Sequence, residues 1–376
     1  MKILLAPDSF KGSLSAVQFC QVAERAILQV FADATVRALP LSDGGEGFVE
    51  SFVYAKKAEN IRLMVADPVG RKTFANFAWQ AQTKTAMIEM AQASGLPKLR
   101  ADEKNPLRAS SYGTGQLIQA ALDKGAKRIV LGLGGSATND GGVGALQALG
   151  VEILDAQQQP VGLGGQALRE IAQIGAVPEA LKQVEWVLAC DVTNPLLGEM
   201  GATAVFGPQK GVNEHNYQFL ENGMQNWAQQ LEQRAGCKVA EVPGAGAAGG
   251  MAAGFIGVLG AKVEPGFDVL KQALAIEQSF AAESWDLVIT GEGRIDEQTR
   301  FGKLPMRIAQ LCTEHQIPCI GLCGSLGVAA TEMPEFATLM SIVNQPMDVI
   351  DAMRQGAPLL HDTVASIMNI YRLGRL

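Results

Sequence analysis

Apolar residues along the chain fall into short runs that alternate with amphipathic segments. Residues 2–7 form such a run, suited to a buried parallel strand. Ser15-Ala16-Val17-Gln18 follows, with serine where a helix N-cap belongs and glutamine three positions on, which predicts a capping box. Val17, Cys20, Ala23, Ile27 and Val30 then recur at helical spacing, so one helix face is apolar enough to cover a sheet. Further strands are predicted at 35–41, 128–133, 184–190, 287–290 and 319–323, each stopping at turn residues or at glycine or aspartate. Strand and helix in alternation imply an α/β fold, a parallel sheet covered on both faces, with ligands gathering beyond the carboxyl ends of the strands. Asp8, Asp43, Asp140, Asp191, Glu292 and Asp296 all fall at or just after such ends.

Between about residues 61 and 285 the alternation weakens and glycine-rich loops multiply, whereas before and after this stretch the strand–helix pattern is cleaner. A length of 376 residues fits two domains at about 150 residues each. The 48% hydrophobic and 18% charged composition excludes a disordered chain. A net charge of -7 argues against a nucleic-acid footprint while leaving room for a local pocket for a small anion. Asp8 interrupts the first apolar run, which therefore does not read as a signal peptide, and the six cysteines form no CxxC pair; a reduced, cytoplasmic protein is expected. Gly246, Gly250 and Gly254 have GxxxG spacing within the uncharged stretch 242–261. That stretch has few large apolar side chains, so a soluble loop or close-packed helix is expected rather than a membrane span.

The strongest chemical signal is LGLGGSATNDGGVG at 131–144, placed between a strand and a helix. Glycines there let backbone N–H groups approach an anion, Ser136, Thr138 and Asn139 add donors, and Asp140 is a candidate for holding magnesium. A tight turn that uses glycine for geometry alone is the alternative. The same stretch matches GxGxxA with Glu152 about 20 residues on, so an NAD-dependent dehydrogenase is a competing reading, as is a non-catalytic organic-acid or nucleotide sensor. No GxxxxGK[ST] and no protein-kinase motif set is present.

Other segments are weaker taken singly. Lys11, in DSFKGS after the first strand, is either a phosphate- or carboxylate-seeking cation or a solvated loop lysine. Arg294 and Asp296, in TGEGRID, are either site residues or a surface ion pair. Asp191 is placed to hold a metal or orient a hydroxyl, and an Asx turn explains it equally well. Lys210, in FGPQKG, reads as part of a turn, and His215, His315 and His361 as surface residues.

Taken in order, APDSFKGS, LSDGGEG, SSYGTGQLI, GLGGSATNDGG, CDVTNPL, FGPQKG and TGEGRIDEQT resemble the bacterial type-1 glycerate kinases, from Met1 to at least Gly324. The resemblance implies phosphorylation of D-glycerate by ATP with magnesium, the 2-phospho product being favoured; the charge and the composition of 242–261 argue for no nucleic-acid or membrane partner, and a homo-oligomer stays open. It implies a flavodoxin-like domain from residues 1–60 and 286–376, an inserted α/β domain from 61–285, and an active site in a cleft between them. On that basis Gly134, Gly135, Ser136, Thr138, Asn139, Asp140, Gly141 and Gly142 are expected to cradle the nucleotide. Asp8, Ser9, Lys11 and Arg294 are expected to bind substrate, Asp191 and Asp296 to hold metal, and Asp191, Asp43 and Lys11 to serve catalysis.

Overall fold

The computed structural model describes every residue except Asp43, Gly44, Glu46, Lys56, Lys57, Glu283, Arg375 and Leu376, together with the side chains of Ala282 and Ala330 left aside. Among the described residues the strands are β1 (Lys2–Leu5), β2 (Thr35–Ala38), β3 (Glu59–Ala66), β4 (Lys72–Gln80) and β5 (Thr85–Glu89). They continue with β6 (Arg128–Gly132), β7 (Ile153–Leu154), β8 (Gln173–Ile174) and β9 (Glu185–Ala189). The last are β10 (Lys262–Glu264), β11 (Leu287–Ile295), β12 (Cys319–Leu326) and β13 (Thr338–Ser341). The chain divides into two compact units, one of Met1–Asp43, Glu50–Lys57 and Phe267–Leu376, the other of Gly44–Val49 and Ala58–Gly266.

The first unit is built from both ends of the chain. Its five strands are all parallel in the order β13-β12-β11-β1-β2. Counted within the unit this is 2-1-3-4-5, the flavodoxin-like arrangement. The capping box at Ser15 forms as the sequence dictates: Gln18 N–H donates to Ser15 Oγ and Gln18 Oε1 accepts from Ser15 N–H. It starts the helix Ala16–Val30, whose buried Val17, Cys20, Ala23 and Ile27 join Ile3, Leu5, Ile289 and Leu322 in one core with the helix Gly356–Leu373. The helix Leu304–Glu314 packs on β11 and β12 with buried Ile308 and Cys312 outside that core, so both sheet faces are covered.

Two expectations are corrected here. The strand predicted at 287–290 runs on to Ile295, because Gly291, Glu292 and Arg294 pair with Leu322, Cys323 and Ser325 of β12. Gly291 permits that pairing, since a Cβ there would stand 2.3 Å from the Leu322 carbonyl oxygen. Residues 267–285, grouped by texture with the insertion, fall in the first unit, where the helices Gly266–Ala273 and Ile276–Ala282 lie.

The second unit carries a mixed six-stranded sheet, β10-β9-β6-β5-β4-β3. β3, β4 and β5 are antiparallel neighbours, whereas β5, β6, β9 and β10 run parallel. The GxxxG stretch forms the helical segment Ala247–Leu259, broken near its start where Ala248, Gly249 and Gly250 take φ values of +55°, +65° and +83°, and no described helix is long and apolar enough to cross a membrane. Its glycines serve close packing: a Cβ on Gly254 would lie 2.2 Å from Gly141 O, and one on Gly249 2.0 Å from Thr138 O. The helix therefore presses its backbone directly against the loop that follows β6.

Candidate active site

In the second unit β6 and β9 are neighbours, Gly132 opposite Ala189, so the segments after both strands leave from the same sheet end. After β6 the chain runs through residues 133–142 before the helix Val143–Ala148 begins, with Gly135, Gly141 and Gly142 at φ values of +72°, +60° and +77°. This length separates the loop from a dinucleotide fingerprint, in which the helix opens within the glycine motif. Glu152 also precedes β7, which pairs with β8 apart from the main sheet. The dehydrogenase geometry is thus not formed.

The loop has an open shoulder and a buried base. Gly134 is half-buried and Gly135 exposed, while Ser136, Ala137, Thr138, Asn139, Asp140, Gly141 and Gly142 are buried. Leu96 N–H donates to Gly135 O and Ala137 N–H to Ser94 O, pinning the shoulder to the turn after β5. Asp140 is not presented to a metal. Its Oδ2 accepts from both the backbone N–H and the hydroxyl of Ser111, each at 2.8 Å, and its Oδ1 from Gly142 N–H at 3.3 Å. Burial pushes this carboxyl up, opposed by those hydrogen bonds. Trp227 Nε1–H donates to Gly141 O, and Asn139 Nδ2 to Thr203 Oγ1. Thr138 Oγ1 and Asn139 Oδ1 are buried with no hydrogen-bond partner among the described residues.

Beneath this base lies Lys210, which the sequence reading treated as a mere turn residue. It is 1% exposed, and its Nζ donates to Ser136 Oγ at 2.7 Å and to Thr138 O at 2.8 Å. Burial pushes its amine down to about 7, with the Asp140 charge working the other way. Ser111 and Glu89 also escaped the residue-by-residue reading. Glu89 closes β5 opposite Gly132 and accepts from Val49 N–H and Gln92 Nε2. The glycines and proline around Lys210, in FGPQKG, were the available signal.

Asp191 follows β9 and is exposed, its Oδ1 accepting from Gly266 N–H at 3.1 Å. It is a hard oxygen donor at a strand end, which suits Mg²⁺, an ion that takes one or two carboxylates and completes its shell with water and phosphate.

In the first unit Asp8 and Ser9 are buried just past β1, where Asp8 N–H donates to Gly291 O and Ser9 N–H to Asp8 Oδ1. Lys11 is exposed, and its backbone nitrogen lies near Gly293 of β11. Glu292 Oε1 accepts from Thr299 Oγ1 at 2.7 Å; burial pushes the Glu292 carboxyl up, against Thr299 and Lys303. Arg294 Nε meets Asp296 Oδ2 at 2.9 Å, the surface pair the sequence allowed. Asp296 also caps the turn Glu297–Phe301, accepting from Gln298 N–H, and lies 3.8 Å from Lys303 Nζ. Bracketed by two cations and a backbone donor, Asp296 suits a magnesium ion less well than Asp191 does. Asp43 lies outside the described residues. Among the described residues no three His, Cys, Asp or Glu side chains cluster as a ready metal site.

The model of the glycerate kinase family matches residues 3–372. A glycerate kinase of Halalkalibacterium halodurans is 42% identical over 369 residues, covering 97% of each chain. Glycerate 2-kinase of Escherichia coli is 43% identical over 328 residues, covering 87% of this chain and 86% of its own. A crystal structure assigned as glycerate kinase 2 from Salmonella typhimurium LT2 superposes with a TM-score of 0.87 at 38% identity, covering 100% of this chain and 99% of that one. A glycine loop of non-dinucleotide form and a family match along nearly the whole chain agree, and the protein belongs to the glycerate kinase family.

Proposed function

We propose that this enzyme, of the type-1 branch, transfers the γ-phosphoryl group of ATP to the 2-hydroxyl of D-glycerate. The observation that carries the reading is the open shoulder at Gly134 and Gly135, set at the same sheet end as Asp191. Phosphoryl transfer asks a protein mainly for alignment and for charge that offsets the transferring group. The loop's backbone N–H groups and the Ser136 hydroxyl supply the phosphate grip, and Asp140 holds the loop's base in shape from within. Magnesium, when bound through Asp191, neutralises phosphate charge.

The β1 and β11 ends of the first unit supply the glycerate grip. Lys11 brings a mobile cation and Arg294 a planar fork able to hold a carboxylate through two N–H groups. Asp8 fixes the backbone at Ser9, so the turn that presents Lys11 starts from a defined point. Asp191 is the residue assigned to orient the acceptor hydroxyl, with Asp43 as the alternative base. The 2-position is favoured because one of the relatives is a glycerate 2-kinase. The six cysteines are all unpaired thiols, in keeping with a reducing, cytoplasmic setting.

The test is the phosphorus NMR spectrum of the product formed from ATP, magnesium and D-glycerate. A phosphate coupled to the C2 proton is expected; coupling to the C3 protons would move the accepting hydroxyl, and no ester would sink the reading. Asp191→Asn should cut kcat by about 10²–10⁴-fold with the fold intact. Near-normal turnover would remove Asp191 from the mechanism.

A further inference from the structure

Lys210 is held where a lysine is expensive. It ends the turn Pro208–Lys210, and Gly211 follows at φ +100°, with Lys104 O only 2.6 Å from where its Cβ would be. That backbone aims the side chain inward. Two of its three N–H donors reach Ser136 Oγ and Thr138 O, and it forms no ion pair among the described residues. The acid whose charge acts on it, Asp140, is itself committed to Ser111 and Gly142. Stability alone gives no reason for this choice: a methionine fills the same volume without the cost of desolvating an amine.

The atoms Lys210 grips say what it does. Ser136 and Thr138 stand two residues apart and follow directly on the open shoulder at Gly134 and Gly135. Fixing one hydroxyl and one carbonyl locks the backbone between them, and with it the direction in which the shoulder's N–H groups point. The Thr138 hydroxyl and the Asn139 amide oxygen beside this grip are buried without partners among the described residues. The loop base thus holds an amine that burial leaves only partly charged near neutral pH, with no carboxylate in contact among the described residues. A negative charge on the loop's open side favours its protonated form.

We propose that Lys210 is a positioning residue for nucleotide binding: it clamps Ser136 and Thr138 so that the loop is pre-shaped for phosphate, and its charge is balanced by the bound nucleotide. The proposal rests on the reading that residues 134–142 receive the ATP phosphates. Lys210 touches no reacting atom and acts through Ser136 and Thr138.

The test compares the wild type with Lys210→Met in steady-state kinetics, thermal melting and hydrogen exchange, using MgATP and D-glycerate as the probes. The variant is expected to melt at or above the wild-type temperature, yet its KM for ATP should rise about tenfold or more, the loss of one or two charge-assisted hydrogen bonds. Its KM for glycerate should change less than about twofold. A wild-type KM for ATP overturns the proposal, as does a fall in Tm with both KM values shifted alike. Should Lys210→Met fail to fold, Ser136→Ala removes one end of the clamp, and an unchanged KM for ATP there overturns the proposal equally. Hydrogen exchange in the wild type separates the two readings. Protection of 134–142 by MgATP upholds the nucleotide loop whatever Lys210 does; without protection the loop reading falls and the proposal with it.

Discussion

Ser111 binds Asp140 twice, through its backbone N–H and its hydroxyl, while the same hydroxyl accepts from Ala145 N–H at 2.9 Å. One side chain at the start of the helix Tyr112–Asp123 thereby ties the loop to the helix Val143–Ala148. Ser111→Ala leaves the buried carboxylate one donor short and Ala145 N–H without its acceptor. It should cost about 2–4 kcal/mol, read as a lower urea midpoint at unchanged m. A midpoint within error of wild type would show that water replaces the hydroxyl.

Gly249→Ala should be among the most damaging small substitutions. The residue has φ +65° and its Cβ would meet Thr138 O at 2.0 Å, so left-handed strain adds to a clash with backbone. The two together suggest a loss of roughly 2–5 kcal/mol. Gly125→Ala is the control: φ is +91° there, but nothing lies within 4 Å, and only the strain of about 1–2 kcal/mol is expected. Equal melting shifts for the two would argue against the close approach.

Stability should carry a pH signature from Lys210. The unfolded lysine holds its proton up to about pH 10.4, whereas burial lowers the folded value to about 7. Between these limits the unfolded chain binds more protons, so this group makes the folded state more stable as pH rises. The Tm of wild type relative to Lys210→Met should therefore increase from pH 7 to pH 9. A flat difference would mean that the amine keeps its ordinary proton affinity.

Arg294→Ala should raise the KM for glycerate about tenfold while leaving the KM for ATP unchanged, if the guanidinium binds the substrate carboxylate. The Arg294–Asp296 pair is largely solvated, with the arginine side chain 68% exposed, so its loss should hardly move Tm. Unchanged kinetics would leave Arg294 only the surface pair.

What the sequence reveals depends on how local the cause is. The capping box at Ser15 and the apolar face at Val17, Cys20, Ala23 and Ile27 were legible because a helix start and its buried stripe lie within one segment. The glycine loop was legible for the same reason. Glu292 and Arg294 were misplaced into a loop because β11 is lengthened by β12, whose partner residues Cys323 and Ser325 are some thirty positions away. Lys210 was invisible as more than a turn residue because its partners, Ser136 and Thr138, lie more than seventy residues upstream. Asp140, a magnesium candidate beside its place in the nucleotide cradle, has its oxygens turned to Ser111 and Gly142, which only folding shows.

The pairing of Ile3 with Leu287 sets an order of events during synthesis. At about 5–20 residues per second, the ribosome needs tens of seconds to deliver the partner of the first strand. Until then β1 has only β2 beside it and an unpaired edge exposed in the nascent chain. The second unit, contiguous apart from one short segment, emerges in full before that edge is covered. The amino-terminal strand thus spends most of synthesis with an open edge, and the helix Ala16–Val30 waits longer still for Gly356–Leu373, so this end of the newborn polypeptide is where a chaperone has most to shield.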